Sequence, residues 1–98
     1  MQTPAPLPPE LQALVDTEIL RRIDENEFSI DALSHRTRTG GGWADVTYVL
    51  RIEEDDEGQP QFEITEETED MGGDVVVCST DADEAAYWIT EQIEEKER

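Results

Sequence analysis

An α+β domain built on an antiparallel sheet is predicted by three features of the chain. Residues 45–53 (DVTYVLRIE) place Val46, Tyr48, Leu50 and Ile52 in alternation with Asp45, Thr47, Val49, Arg51 and Glu53, the period of a strand with one buried face. Apolar residues at helical spacing flank the strand region on both sides: Leu11, Leu14, Val15, Ile19 and Ile23 before it, and Ala82, Ala85, Ala86, Ile89 and Ile93 after it. Between the helices, short turn-like breaks rich in glycine and acid separate the candidate strands, as in a meander.

Residues 1–8 read as a proline-rich flexible leader and residues 9–98 as a single domain. Four prolines among the first nine residues deny the backbone helix-type hydrogen bonds, and Pro9 can then take the first helical position. The spacing that follows predicts a helix over 9–24. In EFSIDALSH, Phe28, Ile30 and Ala32 alternate with Ser29, Asp31 and Leu33, which predicts a first strand. RTRTGGGW then offers three consecutive glycines, able to take the positive φ that a hairpin loop needs, ahead of the strand at 45–53.

EDDEGQP reads as a turn. In QFEITEE, Phe62 and Ile64 face one way while Glu63 and Thr65 face the other, a third strand. EDMGGD ends it, and the apolar run VVVCS makes a fourth. Thr80 or Asp81 can cap a last helix, with Asp83 or Glu84 placed as in a capping box. The order α-β-β-β-β-α predicts an antiparallel four-stranded sheet with the N-terminal and C-terminal helices on one face and water on the other. A winged helix is the rival parsing, with SIDALSHRT and WADVTYVLRI as its second and third helices and the acidic segment as its wing. The alternation over 45–53 argues against it, as does the repulsion between phosphates and so acidic a groove-reading helix.

With 98 residues, one small core is all the chain can bury. Charge dominates its surface: 26 acidic residues against 7 basic ones leave a net charge of -19. Such a protein repels nucleic acid and anionic membranes and is drawn to basic surfaces. Its self-repulsion also opposes folding, most strongly at low salt. Cys78 is the single cysteine, which excludes an intrachain disulfide and a multi-cysteine zinc site and suits a reducing, cytoplasmic setting. MQTPAPLPPE has neither the basic nor the apolar region of a secretory signal, and no apolar run approaches the roughly 20 residues of a membrane span.

Catalytic and metal chemistry find little support. EEDDEG imitates the opening of a calcium-binding EF-hand loop, with Glu53, Asp55 and Glu57 at alternate positions and Gly58 sixth. The twelfth position, where a bidentate glutamate is required, holds Ile64. The single histidine, His35, adjoins Ser34 on a predicted strand, where neighbours point to opposite faces, so a nucleophile and base cannot meet there. Cys78 reads as a small core or sheet-face residue, and Trp43 and Trp88 as core or core-edge residues rather than partner anchors. TGGGW lacks the lysine of a phosphate cradle. No cofactor and no enzymatic activity are expected.

The negative charge is therefore the main functional clue. Halophilic adaptation is one explanation; one lysine against six arginines suits it, whereas sixteen glutamates against ten aspartates suit it less. A second is imitation of nucleic acid, since duplex DNA carries one negative charge per roughly 1.7 Å of axis. Strands and helices make rulers for such a field: Glu63, Thr65 and Glu67 share one face of a strand, and Glu84, Glu91, Glu94 and Glu95 lie off the apolar stripe of the last helix. A third is an acidic adaptor or immunity-type protein for some other basic partner.

Small size, the -19 balance and acidic segments such as EEDDE and EETED give the chain a resemblance to the small acidic DNA-mimic proteins that phages and mobile elements deploy against bacterial defence, the anti-CRISPR and anti-restriction inhibitors. The resemblance is one of composition and implies a role rather than a fold. It implies an inhibitor, monomeric or homodimeric, acting in the host-cell cytoplasm on the basic surface of a nucleic-acid-binding protein or complex, without itself touching nucleic acid or membrane. The partner-binding residues expected are Glu53, Glu54, Asp55, Asp56 and Glu57 at one hairpin turn, with Glu63, Glu66, Glu67, Glu69 and Asp70 beyond it.

Overall fold

The computed structural model describes residues 7–68 and 72–96 of the chain. Most of the predicted leader, and Glu69 and Asp70 among the predicted contact residues, lie outside the described residues. The first helix, α1 (Pro9–Asp16), begins at the expected proline but stops well short of residue 24. Glu18 adopts a left-handed backbone, φ 65°. Its N–H donates to Val15 O at 3.0 Å while the Ile19 N–H donates to Leu14 O at 2.9 Å. This pair of reversed hydrogen bonds closes the last turn in a Schellman arrangement, with a glutamate where glycine is usual. Leu14 and Ile19 both pack against the core. The chain then continues as a strand, β1 (Arg21–Asp24), so that Ile23 is exposed rather than part of a helical stripe.

The segment EFSIDALSH is also divided. A short strand, β2 (Glu27–Ser29), is followed by one 3₁₀ turn (Asp31–Leu33) and by β3 (His35–Thr39). Ile30 and Leu33 are both buried. Strand geometry would send residues three apart to opposite faces, whereas a 3₁₀ turn superposes them on one side. The division of that segment, together with β1, raises the expected four strands to six among the described residues.

The spine of the sheet is β4 (Gly42–Glu54). Along one edge it pairs with β2, Phe28 opposite Leu50, and with β3, His35 opposite Val46. Along the other it pairs with β5 (Pro60–Thr68), Ile52 opposite Phe62 and Leu50 opposite Ile64. β6 (Gly72–Ser79) completes the order β1-β2-β4-β5-β6, with β3 beside β4, and every pairing is antiparallel. The last helix is α2 (Ala82–Lys96). The winged-helix parsing fails because residues 42–54 form a strand.

One core joins these elements. Leu11 from α1, Phe28, Leu50, Phe62 and Ile64 from the sheet, and Ala85 and Ile89 from α2 are all essentially inaccessible and form one cluster. The registers place the four sheet residues on one face, so both helices cover that face and leave the other open, as the alternation predicts. At the far edge Ile64 opposes Val77 and Thr65 opposes Val75, so Val76 is the extra residue of a bulge, and Val75 and Val76 are exposed. Cys78 lies beside them, exposed and opposite Glu63.

Candidate partner-binding surface

The open face of the sheet is not uniformly acidic. Register places Glu27, Arg51, Glu63 and Cys78 in one row across four strands, and Arg21, Ser29, Val49, Thr65 and Val75 in the next. Arginines are collected on this face. Arg51 Nε lies 3.0 Å from Glu27 Oε1 and 4.0 Å from Glu53 Oε1, Arg36 faces Asp45 at 3.5 Å, and Arg21 reaches Asp31 at 2.7 Å. The Arg21 hydrogen bond, followed by that of the Ser29 hydroxyl, holds the Asp31 carboxyl below the usual carboxylate range. The Arg21 and Arg36 pairs are exposed and orient side chains more than they stabilise the fold, whereas the Arg51–Glu27 pair is half-buried. Their main effect is to neutralise part of the sheet and leave the unpaired acidity elsewhere.

One such place is the hairpin turn between β4 and β5. Asp55 Oδ1 accepts hydrogen bonds from the Glu57 N–H at 2.9 Å and the Gln59 N–H at 2.8 Å. The Gly58 N–H donates to Asp55 O at 3.0 Å and the Asp55 N–H to Gln59 O at 2.9 Å, with Gly58 at φ 81°. This is a three-residue hairpin loop ending on a left-handed glycine. Asp55 is thus committed to the turn and half-buried, whereas Glu54, Asp56 and Glu57 are exposed and have no ion pair among the described residues.

β5 divides the other predicted contact residues between two faces. Glu63 and Glu67 lie on the open face, and two strand residues of like orientation repeat at about 6.5–7 Å. Glu66 lies on the helix-covered face, where its Oε2 accepts a 2.6 Å hydrogen bond from the Tyr48 hydroxyl. Burial, and after it the Glu66 hydrogen bond, push the Tyr48 hydroxyl up to about 12. Glu66 therefore stands apart from Glu63 and Glu67.

A further acidic zone, on the helices, adds to the turn. Asp81 Oδ1 accepts from the Asp83 N–H at 2.9 Å, and Ser79 Oγ accepts from the Asp81 N–H at 3.0 Å while donating to Glu84 Oε2 at 2.7 Å, an interlocked start for α2. Where α2 meets α1, the charge of Glu10 raises the Asp83 carboxyl above its ordinary range. Glu84, Glu91 and Glu94 are exposed along α2 with Tyr87, which is 69% exposed, among them. Trp43 is also exposed, at 62%, and lies opposite Arg38 on the β3–β4 hairpin rather than in or beside the core.

One grouping has no signature in the sequence. His35, Tyr48 and Trp88 come from β3, β4 and α2 and lie side by side, with ring centroids 6.1 Å apart for His35 and Tyr48 and 6.2 Å for Tyr48 and Trp88. Helical periodicity marks Trp88 as a flank of the buried stripe, but only the β3–β4 register brings His35 to it. Among the described residues no three His, Cys, Asp or Glu side chains are placed to hold a metal ion. No described helix is long and apolar enough to cross a membrane. Comparison with protein-family models, with curated proteins and with solved structures gives no match for this chain.

Proposed function

We propose that this protein is a non-enzymatic, stoichiometric inhibitor that takes the place of nucleic acid in the basic DNA- or RNA-binding groove of a defence nuclease complex, a CRISPR–Cas effector or a restriction enzyme. The observation that carries this reading is the net charge of -19 on a chain in which Arg21, Arg36 and Arg51 are paired with carboxylates on one sheet face. Glu54, Asp56 and Glu57 at the β4–β5 turn and Glu84, Glu91 and Glu94 along α2 have no ion pair among the described residues, on a folded support that holds them at fixed spacing. A groove that neutralises phosphates with lysine and arginine attracts such a surface by the same counterion release and steering. Binding takes place in the cytoplasm of the cell that houses the nuclease.

Glu53, Glu54, Asp56 and Glu57 form the projecting part of the contact, with Glu63 and Glu67 behind them. Replacing Glu53, Glu54, Asp56 and Glu57 together by lysine lowers affinity for the target by more than about tenfold and leaves the circular dichroism spectrum unchanged. Retention of full inhibition by that variant would remove the turn from the interface. Inhibition by wild-type protein also weakens steeply between about 50 and 200 mM salt, as phosphate contacts do.

A further inference from the structure

The aromatic grouping borders a cleft of about 400 Å³ between the last turns of α2 and the β3–β4 end of the sheet. It is lined by His35, Tyr48 and Trp88, by the buried Leu33, and by Gln92 and the exposed Glu95. We infer that this cleft receives an arginine side chain of the basic partner. Three π systems line it, and a guanidinium is attracted to the negative face of an aromatic ring. A planar, weakly hydrated cation stacks on such faces better than the compact ammonium of lysine. The Glu95 carboxylate and the Gln92 amide oxygen are acceptors for its N–H groups. The Tyr48 hydroxyl donates to Glu66, so a second carboxylate lies beyond the hydroxyl edge of that ring.

Lys96 also lines the cleft and works against a cation, but its ammonium is directed at the wall, donating to Ala32 O at 3.0 Å and Ser34 O at 3.1 Å. The overall charge of -19 disfavours an anionic occupant. The inference rests on the partner being basic, as the electrostatic reading requires, but it concerns the helix-covered side of the sheet and not the β4–β5 turn. The cleft therefore anchors one residue while the acidic turn contributes long-range attraction.

The test is a titration of the full-length, isotope-labelled protein with acetyl-arginine amide at about 0.15 M salt, followed by nuclear magnetic resonance, with acetyl-lysine amide and the neutral isostere acetyl-citrulline amide in parallel. Saturable shifts at the Trp88 indole N–H and at the Leu33 and Gln92 amides are expected, ordered arginine, then lysine, then citrulline. The variant Trp88→Leu abolishes them. Because Trp88 touches the core, the exposed His35→Ala and Glu95→Gln provide variants that keep the fold, each weakening binding about two- to fivefold, and Lys96→Met strengthens it. Citrulline binding as tight as arginine would overturn the cation assignment, and unsaturable shifts spread over the acidic residues would overturn the site. Both outcomes are read without any nuclease, so a failed cleft is distinguishable from a failed inhibitor.

Discussion

Single residues carry much of what is unusual in this chain. Glu18 occupies a left-handed backbone conformation that costs an L-residue about 1–2 kcal/mol and glycine little. Glu18→Gly is expected to raise the thermal midpoint of unfolding, the reverse of what glycine does inside a helix. Tyr48 has the opposite sensitivity, to pH. Its hydroxyl titrates near 12 in the folded state and near the ordinary value of 10 when unfolded. Between those values the unfolded chain has released the proton that the folded chain still holds, so Tyr48's contribution is complete below about pH 10 and is lost as pH rises through about 12. Tyr48→Phe should flatten that part of an alkaline unfolding profile. In the core, Leu50→Ala removes a fully buried side chain from the centre of β4 and should cost about 2–5 kcal/mol in a denaturant titration.

At the scale of elements, periodicity revealed β4, β5 and α2 because each has one dry and one wet face. Leu50, Ile64 and Ile89 therefore announce themselves by spacing. The end of α1 was hidden, since no residue near Glu18 is a customary helix stop and the apolar spacing continues through Ile19 to Ile23. The 3₁₀ turn was hidden for a related reason: Ile30 and Leu33 are buried together, yet three residues of sequence fit several backbone paths. The candidate surface was legible in part. Strand alternation separates Glu63 and Glu67 from Glu66, but the partnership of Glu66 with Tyr48 requires the β4–β5 register. The arginine-laced sheet face is likewise hidden by a helical spacing that runs through Arg21 to Ile23. The β4–β5 turn gives a direct check on this element: Gly58→Ala forces a left-handed alanine and should destabilise by about 1–2 kcal/mol, with loss of the cross-turn hydrogen bonds visible as faster amide exchange at Gln59.

For the whole molecule, a charge of -19 must be held together by the core that α1 and α2 cover. Screening weakens the self-repulsion between charges farther apart than a Debye length, roughly 8 Å at physiological salt. A nucleic-acid mimic must be folded there, and circular dichroism at about 0.15 M salt should already show the complete α+β signature; structure that develops only toward molar salt would instead mark a salt-adapted protein. The most direct measurement is displacement. Labelled duplex DNA or guide-complementary target, bound to purified CRISPR–Cas effectors and restriction enzymes, is titrated with this protein and followed by fluorescence anisotropy. Stoichiometric release that fades with rising salt and is lost in the Glu53, Glu54, Asp56 and Glu57 to lysine variant is the predicted result. Nucleic acid that stays bound at saturating protein across the panel, or release by the variant equal to wild type, would contradict the account.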